Sequence, residues 1–107
     1  MIILVVDDQD TILEIVRDFL LSEEYVVITA RSGAEALDIL GDTSVDLLIT
    51  DLGMDGMSGW ELIEEVRRIG IPIKILAMSE LGTDDYFLKS NMNLLLDKVR
   101  ALLHGNV

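Results

Sequence analysis

Acidic residues stand where the apolar runs of this sequence end. Asp7-Asp8 closes the run Ile2-Ile3-Leu4-Val5-Val6, and Asp51 closes Leu47-Leu48-Ile49-Thr50. Lys89 ends a shorter run, Tyr86-Phe87-Leu88. If these runs are neighbouring strands, Asp7, Asp8 and Asp51 share one pocket. Clustered carboxylates repel one another and a cation relieves them; all-oxygen ligands suit Mg²⁺, which keeps several waters. A carboxylate beside Mg²⁺ can act as nucleophile on a phosphoryl group, with metal and lysine neutralising the transferred oxygens. Taken singly, each aspartate is an ordinary turn or cap residue. The chemistry lies in the set.

Bringing those ends together takes a parallel sheet, and the pattern predicts one. The run 2–6 is continuous and β-branched, as expected of a strand buried on both faces. Over 11–21, Ile12, Leu13, Ile15, Val16, Phe19 and Leu20 recur at helical spacing, with Asp10 or Thr11 to cap the start. A strand is expected at 25–30, then a helix opened by Ser32-Gly33-Ala34-Glu35 and ended by Gly41. A third strand follows at 46–50. The next helix spans 60–69, with Leu62, Ile63, Val66 and Ile69 inward and Gly70 as its stop. Strands at 71–78 and 86–88 and a helix at 94–103 complete the alternation. The expected fold class is α/β: a doubly wound, mostly parallel five-stranded sheet with helices on both faces. Sites in such sheets form beyond the carboxyl ends of the strands, near a switch in strand order.

Composition narrows the function further. The 107 residues suit one domain, 1–107, and no internal repeat or linker divides them. Twenty acidic against eight basic residues give a formal charge of −12, which argues against nucleic acid and anionic membrane as partners. The absence of cysteine excludes disulfides and thiolate chemistry, and the single histidine, His104, makes a buried triad or a zinc site untenable. The apolar opening is too short for a signal peptide, and no run approaches the roughly 20 residues that span a bilayer. A cytoplasmic location is expected.

At these residues the sequence resembles the receiver domains of two-component response regulators, the CheY-like, flavodoxin-like fold. Ile3-Leu4-Val5-Val6-Asp7-Asp8 is similar to the opening strand and acidic pair of that family, and Ser32-Gly33-Ala34-Glu35-Ala36-Leu37 to its second-helix start. Asp46-Leu47-Leu48-Ile49-Thr50-Asp51-Leu52-Gly53-Met54 is similar to its phosphoacceptor segment, and Asp85-Tyr86-Phe87-Leu88-Lys89 to its last strand. The resemblance implies Asp51 as phosphoacceptor, Asp8 as a direct Mg²⁺ ligand, and Asp7 as a ligand or water-bridged neighbour. It also implies the Gly53 carbonyl as a ligand, Lys89 as the partner of the phosphoryl oxygens and Tyr86 as the switch aromatic.

Four departures from the family stand out. Asp55 replaces the proline that usually follows the loop methionine, and Ala77 falls where the family has a hydroxyl at the end of strand four. Ser90 follows Lys89 in place of a cis-proline; the bond there is expected to be trans, because a non-proline cis bond costs about 2.5–4 kcal/mol. The largest departure is a deletion. Only residues 79–84 separate strand four from the run leading to Lys89, so the family's fourth helix is replaced by a short loop. Extended, that stretch reaches roughly 20 Å against a strand of about 17 Å, which favours a bare-loop return. An antiparallel hairpin and exchange of the last elements within a homodimer stay open.

The function expected is a signalling switch taking a phosphoryl group from a histidine kinase on Asp51, assisting its own transfer and hydrolysis but not an enzyme otherwise. Its output would be contact with a downstream protein target, since no DNA-binding domain follows. The alternative is a pseudo-receiver that associates without phosphorylation, which Ala77 and the lost helix favour. A haloacid-dehalogenase-like phosphatase, suggested by Asp8-Gln9-Asp10, would need a longer chain. Loss of a helix should bare apolar surface. Lys74 suggests that its own face of strand four is the wetter one, so Lys74, Met78, Ser79 and Leu81 are the expected interaction surface. Met54, Met57 and Met78 are expected as packing residues, and Trp60 as core or surface lid.

Overall fold

The computed structural model describes residues 1–54, 56–78 and 92–105. Four strands, β1 (Ile2–Val6), β2 (Val26–Ala30), β3 (Leu47–Thr50) and β4 (Lys74–Ala77), alternate with helices α1 (Asp10–Leu21), α2 (Gly33–Asp42) and α3 (Gly59–Ile69). A last helix, α4 (Met92–His104), follows. The strands form one parallel sheet in the order β2-β1-β3-β4. Residues 86–88, expected as a fifth strand, and the 79–84 stretch lie outside the described residues, as do Asp55, Ser79, Leu81, Tyr86 and Lys89.

The central strands are apolar on every face because both faces are covered. Ile3, Val5, Leu47, Ile49 and Leu76 pack beneath Ile12, Leu13, Val16 and Leu20 of α1 and Leu95, Leu96 and Val99 of α4. Leu4, Val6 and Leu48 face Ala36 and Leu40 of α2 and Leu62 and Val66 of α3. This is the three-layer arrangement that period-2 side-chain alternation demands of a doubly wound sheet.

Several boundaries differ from the sequence expectation. Neither Asp10 nor Thr11 caps α1: Gln9 holds the N-cap position without a side-chain bond, and Asp10 is the first helical residue. Gly41 does not end α2, which runs on to Asp42 and closes at Thr43, whose amide donates to the Ile39 carbonyl at 2.8 Å. Gly70 does stop α3, in the left-handed region at φ 88°. Ile69 is 53% exposed instead of inward, and Ile71, beyond the turn, packs against the core in its place. Strand four is shorter than 71–78: it starts only at Lys74, past Pro72, which cannot donate to a ladder, and ends at Ala77.

Of the expected interaction surface, Lys74 is exposed and Met78 buried, while Ser79 and Leu81 lie outside the described residues. Met78 is 1% exposed and Leu76 5%, both buried in the layer under α1 and α4. Lys74 is exposed, but its ammonium donates to the Leu102 carbonyl near the end of α4, where unpaired carbonyls and the helix dipole favour a cation. Two further contacts fasten that helix end. Arg100 pairs with Glu23, and Tyr25 Oη meets His104 Nε2 at 3.1 Å under a stacked ring pair.

Candidate functional site

Strand order reverses between β1 and β3: the chain passes from β1 outward to β2, then back across to β3. Val6 and Thr50 are register partners at the carboxyl ends, so the next residues, Asp7 and Asp51, leave the sheet side by side. Backbone bonds carry the ladder one step further. The Asp51 amide donates to the Val6 carbonyl at 3.0 Å, and the Asp7 amide to the Ala30 carbonyl at 3.1 Å.

Each side chain is then set locally. Asp7 Oδ1 accepts from the Gln9 amide at 2.9 Å, an Asx turn that opens α1. Asp51 Oδ1 accepts from the Gly53 amide at 3.4 Å, and Thr50 Oγ1 donates to the Asp51 carbonyl at 2.9 Å. Past Asp51 the loop is pinned by methionines. Met54 is buried in the layer under α2 and α3, and Met57 lies over Gly33, where an added Cβ would meet its sulfur at 2.6 Å. Ser58 and Glu61 form a reciprocal capping box that starts α3. The Gly59 amide donates to the Leu52 carbonyl at 3.0 Å, locking the helix start against the acidic strand end.

The sequence-expected cluster is therefore assembled. One oxygen from each of Asp7, Asp8 and Asp51 lies within 4.8 Å of the other two. Asp7 is 1% exposed and Asp51 6%, while Asp8 is half-buried. Burial pushes the Asp7 carboxyl up to about 7, against the Gln9 amide that favours its charge, and the carboxylates of Asp51 and Asp8 push it further the same way. Three hard oxygen donors crowded at this cost of charge fit a divalent cation such as Mg²⁺. Gly53 is exposed in the loop directly after the cluster.

Ala77 ends β4 in register with Thr50, so the expected hydroxyl position does lie at the carboxyl edge of the sheet and carries only a methyl group. Thr50 does not replace it, since its hydroxyl is engaged by the Asp51 carbonyl. Trp60 is a surface residue, 62% exposed. Two residues of the neighbourhood escaped the sequence reading. Gly59 had a legible signal in Ser58-x-x-Glu61, which places it in the first turn of a helix. Arg31, one residue past β2, had none; its guanidinium Nε pairs with Asp10 at 2.9 Å.

Comparison with known proteins bears on the same residues. A family model described as response regulator receiver domain matches residues 3–99. The transcriptional regulatory protein GlrR of Escherichia coli K12 is 45% identical over 76 residues, covering 69% of this chain and 17% of GlrR. The response regulator RR06 of Streptococcus pneumoniae is 33% identical, covering 94% of this chain and 52% of RR06. This chain thus spans about half the length of RR06 and far less of GlrR. The match to RR06 runs over 113 residues, more than the 107 of this chain, so RR06 holds residues within the matched span that this chain lacks. Among solved structures, the response regulator TrrA of Thermotoga maritima, in complex with Mg²⁺ and BeF, superposes with a TM-score of 0.80 at 34% identity, covering 95% of this chain and 98% of that one. The chemotaxis protein CheY4 of Vibrio cholerae superposes at 0.76 with 28% identity, covering 95% and 98%. Among the described residues, no helix is long and apolar enough to cross a membrane.

Proposed function

Since the chain belongs to the response regulator receiver domain family, we propose that it is a phosphorylation-dependent signalling switch that accepts a phosphoryl group from a histidine kinase on Asp51. The observation that carries this reading is the meeting of Asp7, Asp8 and Asp51 at the switch point of the sheet. Those three carboxylates, with the Gly53 carbonyl, are the groups that would hold Mg²⁺. When bound, the ion offsets the carboxylate repulsion and the charge of the transferred oxygens. The complex of TrrA with Mg²⁺ and BeF, a chemical stand-in for a phosphoryl group, supports the same assignment by relationship.

The chain's own residues divide the remaining work. Asp51 is held by its amide on Val6 and by Thr50 on its carbonyl, and Gly53 engages its Oδ1. Oδ2 is then the attacking oxygen. The new O–P bond forms as the N–P bond of the donor phosphohistidine breaks, and the imidazole nitrogen leaves with the bonding pair and takes up a proton. Lys89, assigned from the sequence, pairs with the phosphoryl oxygens. Output runs to a downstream protein, and the reading implies a cytoplasmic location. The surplus residues of RR06 correspond in this reading to the family's helix that the sequence expectation finds replaced by a short loop at 79–84.

Ala77 favours a second reading. A methyl group beside Thr50 offers a phosphoryl oxygen no hydrogen bond, and with it goes the link to Tyr86. A pseudo-receiver would keep fold and cation but signal by association alone. Intact mass after incubation with acetyl phosphate and Mg²⁺ separates the two. One added phosphoryl group is expected, and Asp51→Asn should remove it. A chain that stays unmodified while Mg²⁺ still raises its thermal midpoint would select the pseudo-receiver.

A further inference from the structure

We propose that Arg31 is a donor-binding residue at the rim of the carboxylate pocket, its guanidinium capturing the anionic end of a phosphodonor before transfer. The inference rests on Asp51 as phosphoacceptor and adds to that reading the group that recognises the incoming anion.

Backbone geometry brings Arg31 to the pocket. The Asp7 amide is bonded to the Ala30 carbonyl at 3.1 Å, so the chain leaves β2 at the level of the cluster and Arg31 is the next residue. Its Nε is held by Asp10 Oδ1 at 2.9 Å, and Asp10 lies in the first turn of α1, just past Asp7 and Asp8. Its amide donates to Glu35 Oε2 at 3.3 Å in the first turn of α2. Arg31 therefore ties the first turn of α2, through its amide, to the first turn of α1, through its side chain. Arg31 and Asp10 are 64% and 65% exposed, so their pairing adds little to stability. What it does is aim the guanidinium. The pairing runs through Nε, and the Nη1–Nη2 fork at the far end of the guanidinium has the geometry to match two oxygens of a phosphate.

Charge explains why such a group is needed. The chain carries −12 and the pocket three carboxylates, so an anionic donor meets a repulsive field on approach. A fixed cation at the rim gives that anion a local binding point. The same cation opposes a second cation nearby, so Arg31 should act with opposite sign on the two ligands of the site.

That difference in sign is the test. Phosphorylation by acetyl phosphate is followed by intact mass for the wild type, Arg31→Ala and Arg31→Lys, and the Mg²⁺ midpoint of each is read from its thermal stability. Arg31→Ala should lower the rate at limiting donor by ~10-fold while Mg²⁺ binding stays the same or tightens by up to ~3-fold. Arg31→Lys, which keeps charge without the fork, should recover part of the rate. A rate unchanged in Arg31→Ala, with the wild type modified, would overturn the role of Arg31 alone. Loss of donor use and Mg²⁺ binding together would mark a structural role and also overturn it. A wild type that takes no phosphoryl group would overturn the reading of Asp51 as acceptor.

Discussion

Replacing Asp7 by Asn should make the metal-free protein more stable at about pH 8 and at the same time remove most of its response to Mg²⁺. Asp7 is 1% exposed, with the carboxylates of Asp8 and Asp51 beside it, and its carboxyl is pushed from an ordinary 3.8 up to about 7. Ionising it in the folded state costs desolvation first and like-charge repulsion second, and the unfolded chain escapes both. Asn keeps the oxygen that accepts from the Gln9 amide, so the turn into α1 survives the change. The expected gain is on the order of 1–3 kcal/mol, or roughly 5–15 °C in thermal midpoint for a domain of this size.

The pH dependence follows from the same shift. A carboxyl whose folded value is raised holds its proton in the native state while the unfolded chain has lost it. Between about 4 and about 7 the native state therefore binds more protons, and stability falls as pH rises through that window. The advantage of Asp7→Asn should be near zero at about pH 4 and full above about pH 7. Mg²⁺ offsets the charge only where the carboxylates can ligate it, so it should raise the wild-type midpoint at pH 8 and leave that of Asp7→Asn nearly unmoved. Equal midpoints for the two proteins without metal at pH 8, or equal Mg²⁺ shifts, would remove the cluster from this role.

The acidic site was legible because it depends on two things a sequence displays openly. Apolar runs show where strands end, and a βα alternation says that the ends point the same way. Asp7, Asp8 and Asp51 needed nothing more. Lys74 misled for a physical reason. A lysine at the first position of a strand reports the strand's end, not the wetness of its face; its long stem reaches out to Leu102 while Leu76 and Met78 on the same face lie buried under α4. Asp10 looked like a cap because aspartate usually is one. Here the Asp7 side chain already takes the Gln9 amide at that turn, and Asp10 is free to pair with Arg31. Contacts set by the path of a loop were out of reach: Ser58-x-x-Glu61 places Gly59 in the first turn of a helix, but nothing in the sequence shows that turn pressing on the backbone of Asp51.

Two glycine-to-alanine substitutions should therefore differ in sign. At Gly59 an added Cβ would lie 2.0 Å from the Asp51 carbonyl oxygen, 2.7 Å from Leu52 Cα and 2.8 Å from the Asp51 carbonyl carbon. All three are backbone atoms, so no side chain can swing aside. Either the start of α3 must retreat, breaking the 3.0 Å bond from the Gly59 amide to the Leu52 carbonyl, or the backbone of Asp51 must move. Overpacking against fixed backbone should cost about 3 kcal/mol or more. The displaced carboxylate should also weaken Mg²⁺ binding and slow phosphorylation by more than the lost stability explains. At Gly41, inside α2, an added Cβ meets nothing within 4 Å, and alanine removes the entropy cost of a helical glycine. Gly41→Ala should gain roughly 0.5–1 kcal/mol and leave the site unchanged. Urea unfolding of the two variants checks both signs at once, and a Gly59→Ala protein as stable as the wild type would mean that α3 does not press on the Asp51 backbone.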